Sequence, residues 1–327
     1  MKNNMNIKPD FDKRIELVFG ILYCAYIEGI IPENYGKYFF FKDCNNDYYQ
    51  NFYNMYKKYA SLELKEYIKN GGFDYYERTL QIALAMDYEY NIQDNQYIEQ
   101  IKINNKCFDQ KKISFLLKDF TTKANYEKFY SDNTNYFAAL CNKFVEALNS
   151  YVNFNSNIMT DFFGYSVGEF GIKIFNFVNG SFGYINENTI LSCISINAET
   201  EISDKVVTIC FHEYSHPYVN KLGLEYFEKI NLDKLLADAK KHGLQECYYD
   251  KINFINEYVV RTIQVYLAAK YMKSDYIVRN INYHKNIGYT YIDELVNILN
   301  AKAINENFAV FYKNKIVPYF IQLNDKL

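Results

Sequence analysis

The sequence predicts an α+β fold that is mostly helical, in which a helical N-terminal region leads into a unit made of a short sheet and one motif-bearing helix. Three observations carry that expectation. Apolar residues recur at helical spacing through roughly the first 150 positions, β-type runs bounded by turn residues fill the stretch from Gly164 to Ile196, and helical spacing returns after Asn197. A soft boundary follows, with residues 1–150 as the helical region and 151–327 as the second unit, possible also as one compact body.

Taken in order, the N-terminal helices are expected at Phe11 to Gly29, Asp47 to Ile68, Tyr75 to Met86, Ile113 to Phe120 and Tyr126 to Leu148. Gly71-Gly72, Asn45-Asn46 and Asn104-Asn105 punctuate them. The stretch Ile15 to Ile31 is apolar enough to raise the question of a membrane or export segment. Glu16 and Glu28 interrupt it and Asp10 and Asp12 precede it, so it reads as an amphipathic core helix, and the default address is the cytoplasm.

The β-type texture begins at Gly171 to Val178, continues through a hairpin signal at Asn179-Gly180, and resumes in Phe182 to Ile185 and Thr189 to Ile196. A small antiparallel or mixed sheet is expected. Later helices are expected around Ile255 to Met272 and Tyr291 to Leu299.

Composition narrows the classes of function. A net charge of −3 and a pI of about 5.9, with Lys and Arg spread along the chain, give no footprint for nucleic acid. Pairs such as Lys57-Lys58 and Lys111-Lys112 read as solvated helix faces. The seven cysteines, at 24, 44, 107, 141, 193, 210 and 247, form no Cys-x-x-Cys pair and argue for reduced thiols. Cys210 lies two residues before His212, which on a helix puts the two on nearly opposite sides, so it reads as a packing residue. A peptide or protein partner fits better than nucleic acid or a membrane.

The chemistry is concentrated in His212-Glu213-Tyr214-Ser215-His216, which uses half of the chain's four histidines. Histidines at i and i+4 lie one above the other on a helix, so both imidazoles can reach one Zn²⁺ at the roughly 2.0–2.1 Å it requires. Glu213 is turned about 100° from His212, beside the metal's open position, where a carboxylate can take a proton from a water and later give it to a leaving amine. Pro217 follows directly; its ring opposes the carbonyl of Glu213, so the helix is expected to end or kink there.

A third ligand is needed. The residues after His216 are Pro-Tyr-Val-Asn-Lys-Leu, without the Gly and third His of a metzincin, which leaves a carboxylate from a later helix. Among Glu225, Glu228, Asp233, Asp238, Glu246, Asp250 and Glu257, the last stands out because it opens an otherwise apolar helix, where an inward acid needs a cation. Arg261, one turn on, could hold that carboxylate or be its whole explanation.

These residues resemble a bacterial family, domain of unknown function 4932, whose site is gluzincin-like. Its hallmark is His-Glu-Phe-Ser-His followed by a hydrophobic-Val-Asn segment; here the stretch is His212-Glu213-Tyr214-Ser215-His216-Pro217-Tyr218-Val219-Asn220. Arg14-Ile15-Glu16-Leu17, Asp161-Phe162-Phe163-Gly164, Asn256-Glu257 with Val260-Arg261, and Gly288-Tyr289-Thr290-Tyr291-Ile292 look similar as well and spread the likeness over most of the chain. The resemblance implies a zincin-like unit, one Zn²⁺ held by His212, His216 and Glu257, and Glu213 as general base. Its members are often exported, which this sequence does not echo.

The supporting groups are less sharply defined. His284, Tyr289 and Tyr291 are candidates to stabilise an oxyanion, because charge develops there in the transition state. Phe182, Gly183 and Tyr184 are candidates to bind an extended peptide along a sheet edge, with Gly183 allowing close approach or serving a bulge. Asn220 and Arg261 are candidates to orient the ligands. The expected activity is hydrolysis of peptide bonds. The alternatives left open are an inactive zinc site serving as a peptide-binding module and a zinc hydrolase of another ester or amide.

Overall fold

A computed structural model describes residues 8–32, 46–73, 77–151, 157–186, 189–272 and 276–327. Cys44, Asn45 and Tyr75, named in the readings above, lie outside these residues.

A short strand, β1 (Pro9–Phe11), precedes α1 (Lys13–Ile27). The Asp12 side chain caps α1 by accepting from Arg14 N at 2.9 Å. Every residue from Ile15 to Ala25 is buried, so α1 is a helix covered on all sides and not the amphipathic one expected. The expected helix Asp47 to Ile68 is two, α2 (Asp47–Tyr59) and α3 (Leu62–Lys69), because Ser61 caps the second by accepting from Leu64 N at 3.1 Å. Then follow α4 (Glu77–Ala85), α5 (Gln96–Asn104), α6 (Gln110–Ala124), α7 (Tyr126–Asp132), α8 (Thr134–Tyr151) and α9 (Asn157–Phe163). Neither β1 nor α5 is foreshadowed by the sequence reading.

The sheet is completed by β2 (Glu169–Phe175), β3 (Ser181–Asn186) and β4 (Thr189–Ser195), in the order β1-β2-β4-β3. It is mixed: β1 and β4 run parallel to β2, and only β3 is antiparallel to β4. The hairpin expected at Asn179-Gly180 is therefore not formed, since β4 lies between β2 and β3. The connecting residues 176–180 instead bridge the end of β4, which donates from Ile196 N to Phe175 O at 3.0 Å and from Ser195 N to Gly180 O at 3.1 Å. A buried carboxylate fixes this bridge. Glu16 of α1 accepts from Asn176 N at 2.7 Å and Asn176 Nδ2 at 3.1 Å, and Phe177 is held at φ 74°. A tertiary contact has overridden a local turn signal.

The sheet separates two apolar clusters. Phe170, Ile172, Ile174, Ile190 and Ile194 face the later helices, while Phe175, Phe182, Tyr184 and Cys193 face the N-terminal ones. On the first side lie α10 (Asp204–Phe227), α11 (Asp233–Lys241), α12 (Lys251–Tyr271), α13 (Tyr276–Lys285), α14 (Ile292–Asn300) and a helical run from Phe308 to Lys326.

Pro217 does not end α10, which runs ten residues beyond it. Packing supplies what the missing hydrogen bond withholds: Tyr218 stacks on Phe163 at 3.7 Å and 6°, and Val219, Leu222 and Phe227 are buried. Gly223 lets α12 lie close against this half of the helix, because a Cβ there would stand 1.8 Å from Asn256 Oδ1. No helix among the described residues is long and apolar enough to cross a membrane.

Candidate metal centre

Lys205, Ile209, His212, His216 and Asn220 recur at helical spacing along one face of α10, and all five line a cavity of about 640 Å³. The facing wall is α12, which presents Glu257, Arg261 and Gln264 at i, i+4 and i+7. Strand β3 contributes Ser181, Phe182, Gly183 and Ile185, and α13 contributes His284.

Three ligand-type side chains meet where these walls close. His212 Nε2 and His216 Nε2 are 3.2 Å apart, Glu257 Oε1 is 3.5 Å from His216 Nε2, and Glu257 Oε2 is 3.7 Å from His212 Nε2. Among the described residues this is the group of three placed so that it could hold a metal ion.

The hydrogen bonds around it fix the protonation of the rings. Thr208 Oγ1 donates to Lys205 O at 2.9 Å, so its lone pair accepts from Gln264 Nε2 at 3.1 Å. That turns Gln264 Oε1 toward His212 Nδ1, at 3.2 Å, and makes Nδ1 the donor. His216 Nδ1 lies 3.1 Å from Asn220 Oδ1. Both Nε2 atoms are thereby turned toward the Glu257 carboxylate. Burial first, and then His216 and Arg261, push His212 well below the ordinary imidazole value, so the ring is neutral.

Such an arrangement could hold a cation. The two Nε2 atoms are 3.2 Å apart and the nearest Glu257 oxygens stand 3.5 and 3.7 Å from them, close to the roughly 3.3–3.4 Å between ligands of a tetrahedral Zn²⁺ at 2.0–2.1 Å from each. The residues therefore fit zinc. Arg261 meets Glu257 Oε2, the oxygen that also faces His212, at 2.9 Å and, against the cost of its own burial, is held protonated by that carboxylate.

Glu213 is buried beside β3. Ser181 Oγ donates to Glu213 Oε1 at 3.1 Å, and a Cβ at position 183 would stand 2.9 Å from Glu213 Oε2. Gly183 thus serves the close approach of the carboxylate, and it pairs regularly with Ser192 within β3 rather than forming a bulge.

His284 is 3% exposed, with neither ring nitrogen hydrogen-bonded. Burial first, then Arg261, push its pKa down to about 3, so it is neutral in the cavity wall. Tyr289 lies behind that wall, its ring 5.0 Å from the Arg261 guanidinium, and steadies Arg261. Tyr291 turns away and donates to Asp238 Oδ2 at 3.3 Å. The side chains of Phe182 and Tyr184 enter the N-terminal cluster on the far side of the sheet, so β3 meets the cavity through its backbone.

Gln264, Thr208 and Ser181 were not anticipated from the sequence. The spacing of Glu257, Arg261 and Gln264, three polar residues on one face of an apolar helix, is the signal that would have found Gln264. A family model described as Domain of unknown function (DUF4932) matches residues 7–314. No curated protein and no solved structure matches the chain.

Proposed function

The chain belongs to the DUF4932 family, and we propose that it is a zinc-dependent peptidase of the gluzincin type, with His212, His216 and Glu257 holding one Zn²⁺. The observation that carries this reading is the meeting of His212, His216 and Glu257, with ligand-type atoms 3.2–3.7 Å apart, on a cavity beside Glu213. A zinc site with a purely structural role is closed by a fourth protein ligand, whereas this one faces a space large enough for substrate.

Zinc, when bound, supplies Lewis acidity and lowers the pKa of a water in the site. The protein's own groups do the rest. Glu213, oriented by Ser181, takes the proton from the attacking water and delivers it to the departing amine. His284, neutral and bearing one N–H, is the donor available to the developing oxyanion. The backbone of β3 pairs with an extended substrate, and Gly183 brings that strand against Glu213. Gln264 and Asn220 hold the imidazoles in the tautomer that leaves both Nε2 atoms free to coordinate.

The test is metal content together with activity. Purified protein should hold about one equivalent of zinc per chain and hydrolyse members of a peptide library, and Glu213→Gln should keep the zinc and lose hydrolysis. Zinc-free protein, or an unimpaired Glu213→Gln variant, sinks the reading. Stoichiometric zinc without cleavage of any peptide, ester or amide would instead favour a peptide-binding module.

A further inference from the structure

The free edge of β3 is stopped at one end by a residue from the N-terminal helices. Ser195 N donates to Gly180 O at 3.1 Å, which sets the pairing parity of β3 with β4. With Phe182 opposite Cys193 and Tyr184 opposite Leu191, residues 182 and 184 direct their backbone groups inward to β4, and residues 181, 183 and 185 direct theirs outward to the cavity. The next contact agrees with that parity: Ile185 O, an outward carbonyl, accepts from the Tyr97 hydroxyl.

Tyr97 is firmly placed. It stands in the first turn of α5, whose Asn95 cap accepts from Tyr97 N and Ile98 N at 3.0 Å each. Its ring leans on Tyr184 at 5.1 Å and 33°, and it lines the cavity together with Ile185. An added strand can therefore form full pairs with Ser181 and Gly183 but finds the acceptor at Ile185 already taken.

Resting on the peptidase reading above, we propose that Tyr97 is a specificity-determining end stop, limiting the substrate to about two residues on the amino side of the scissile bond. Gly183 marks the reacting position, since it abuts Glu213, and two strand residues from there to Ile185 span roughly 7 Å at ~3.4 Å each. Antiparallel addition, the better pairing per residue, puts the substrate's amino end at Ile185 and its carboxyl end toward Ser181, where no such stop stands among the described residues. The site is then one for trimming peptides from the amino end.

Cleavage positions in a mixture of unstructured ten-residue peptides, read by mass spectrometry on the zinc-loaded full chain, test this. Wild type should cut at the first or second bond from the amino end. Placing four residues instead of two ahead of that bond should lower kcat/KM about tenfold, the worth of one or two ladder hydrogen bonds, while the same extension on the carboxyl side changes little. Tyr97→Gly should spread cleavage to internal bonds, and Tyr97→Phe, which frees Ile185 O but keeps the ring, should do so partly. Internal cleavage by wild type, or greater sensitivity to carboxyl extension, overturns the end stop and leaves the peptidase reading intact. Absence of all cleavage defeats the peptidase reading and the end stop together.

Discussion

Glu16 and Glu257 are both carboxylates carried inward by helices, and the two halves of the molecule treat them in opposite ways. Glu16, on the N-terminal side of the sheet, is fully buried and surrounded by neutral donors: Tyr48 Oη at 2.7 Å and two groups of Asn176. Glu257, on the other side, faces two imidazole Nε2 atoms at 3.5 and 3.7 Å and meets the Arg261 guanidinium at 2.9 Å. The first is a finished structural joint. The second belongs to a group that could hold a metal ion, and His284 beside it has no hydrogen-bond partner among the described residues. A buried carboxylate that the protein itself satisfies is a joint, whereas one set among ligand-type groups at the wall of a cavity is a candidate for binding.

The largest effect that would break this contrast concerns Glu213. Replacing it by Gln should reduce peptide hydrolysis by about 10²–10⁴-fold with zinc content unchanged, the range for a lost general base. Retained activity would remove Glu213 from the chemistry and leave it, like Glu16, a structural carboxylate.

Next comes the pH response of the first half. Burial pushes Glu16 up from 4.5 to about 7, against the opposing hydrogen bonds from Tyr48 and Asn176. The folded state then keeps this proton after the unfolded chain has released it. The stabilising contribution is complete below about pH 4.5 and is lost as pH rises to about 7, by at most ~3 kcal/mol. Denaturant titrations between pH 4.5 and 8 should show this decline, and Glu16→Gln should flatten it; a stability that rises through the same window in wild type only would reverse the assignment.

A smaller effect is expected at Gln264. Gln264→Leu removes the acceptor that fixes the His212 tautomer and should weaken zinc binding about 10–100-fold in competition with a chelator, with the fold intact. An unchanged affinity would show that the tautomer is set elsewhere. The smallest concerns Tyr48→Phe, which deletes one donor to Glu16 and should cost about 1 kcal/mol in denaturant unfolding while leaving zinc affinity alone. Equal effects on both readouts would mean that the two halves are not separable in this way.

Much of the candidate site could be read along the chain because its information is local. His212 and His216 share a helix face through spacing alone, and an acid in the apolar run around Glu257 stands out against its neighbours. The helical content and the β-type segment between Glu169 and Ser195 were legible for the same reason. What misled were signals with a purely local meaning. Asn179-Gly180 reads as a hairpin and Pro217 as a helix end, yet the Glu16 contact to Asn176 bends the first into a bridge, and the stack of Tyr218 on Phe163 carries the helix through the second.

The sequence by itself determined the histidine pair, the acid between them and the class of fold, since these rest on periodicity within one element. Only the tertiary structure decided the strand order, the inward turn of Gln264 toward His212, the approach of β3 to Glu213 and the arrival of Tyr97 from α5 at the strand's far end. Each of these joins residues distant along the chain, and such contacts are chosen by burial and hydrogen-bond satisfaction across the whole packed molecule, which no local spacing encodes.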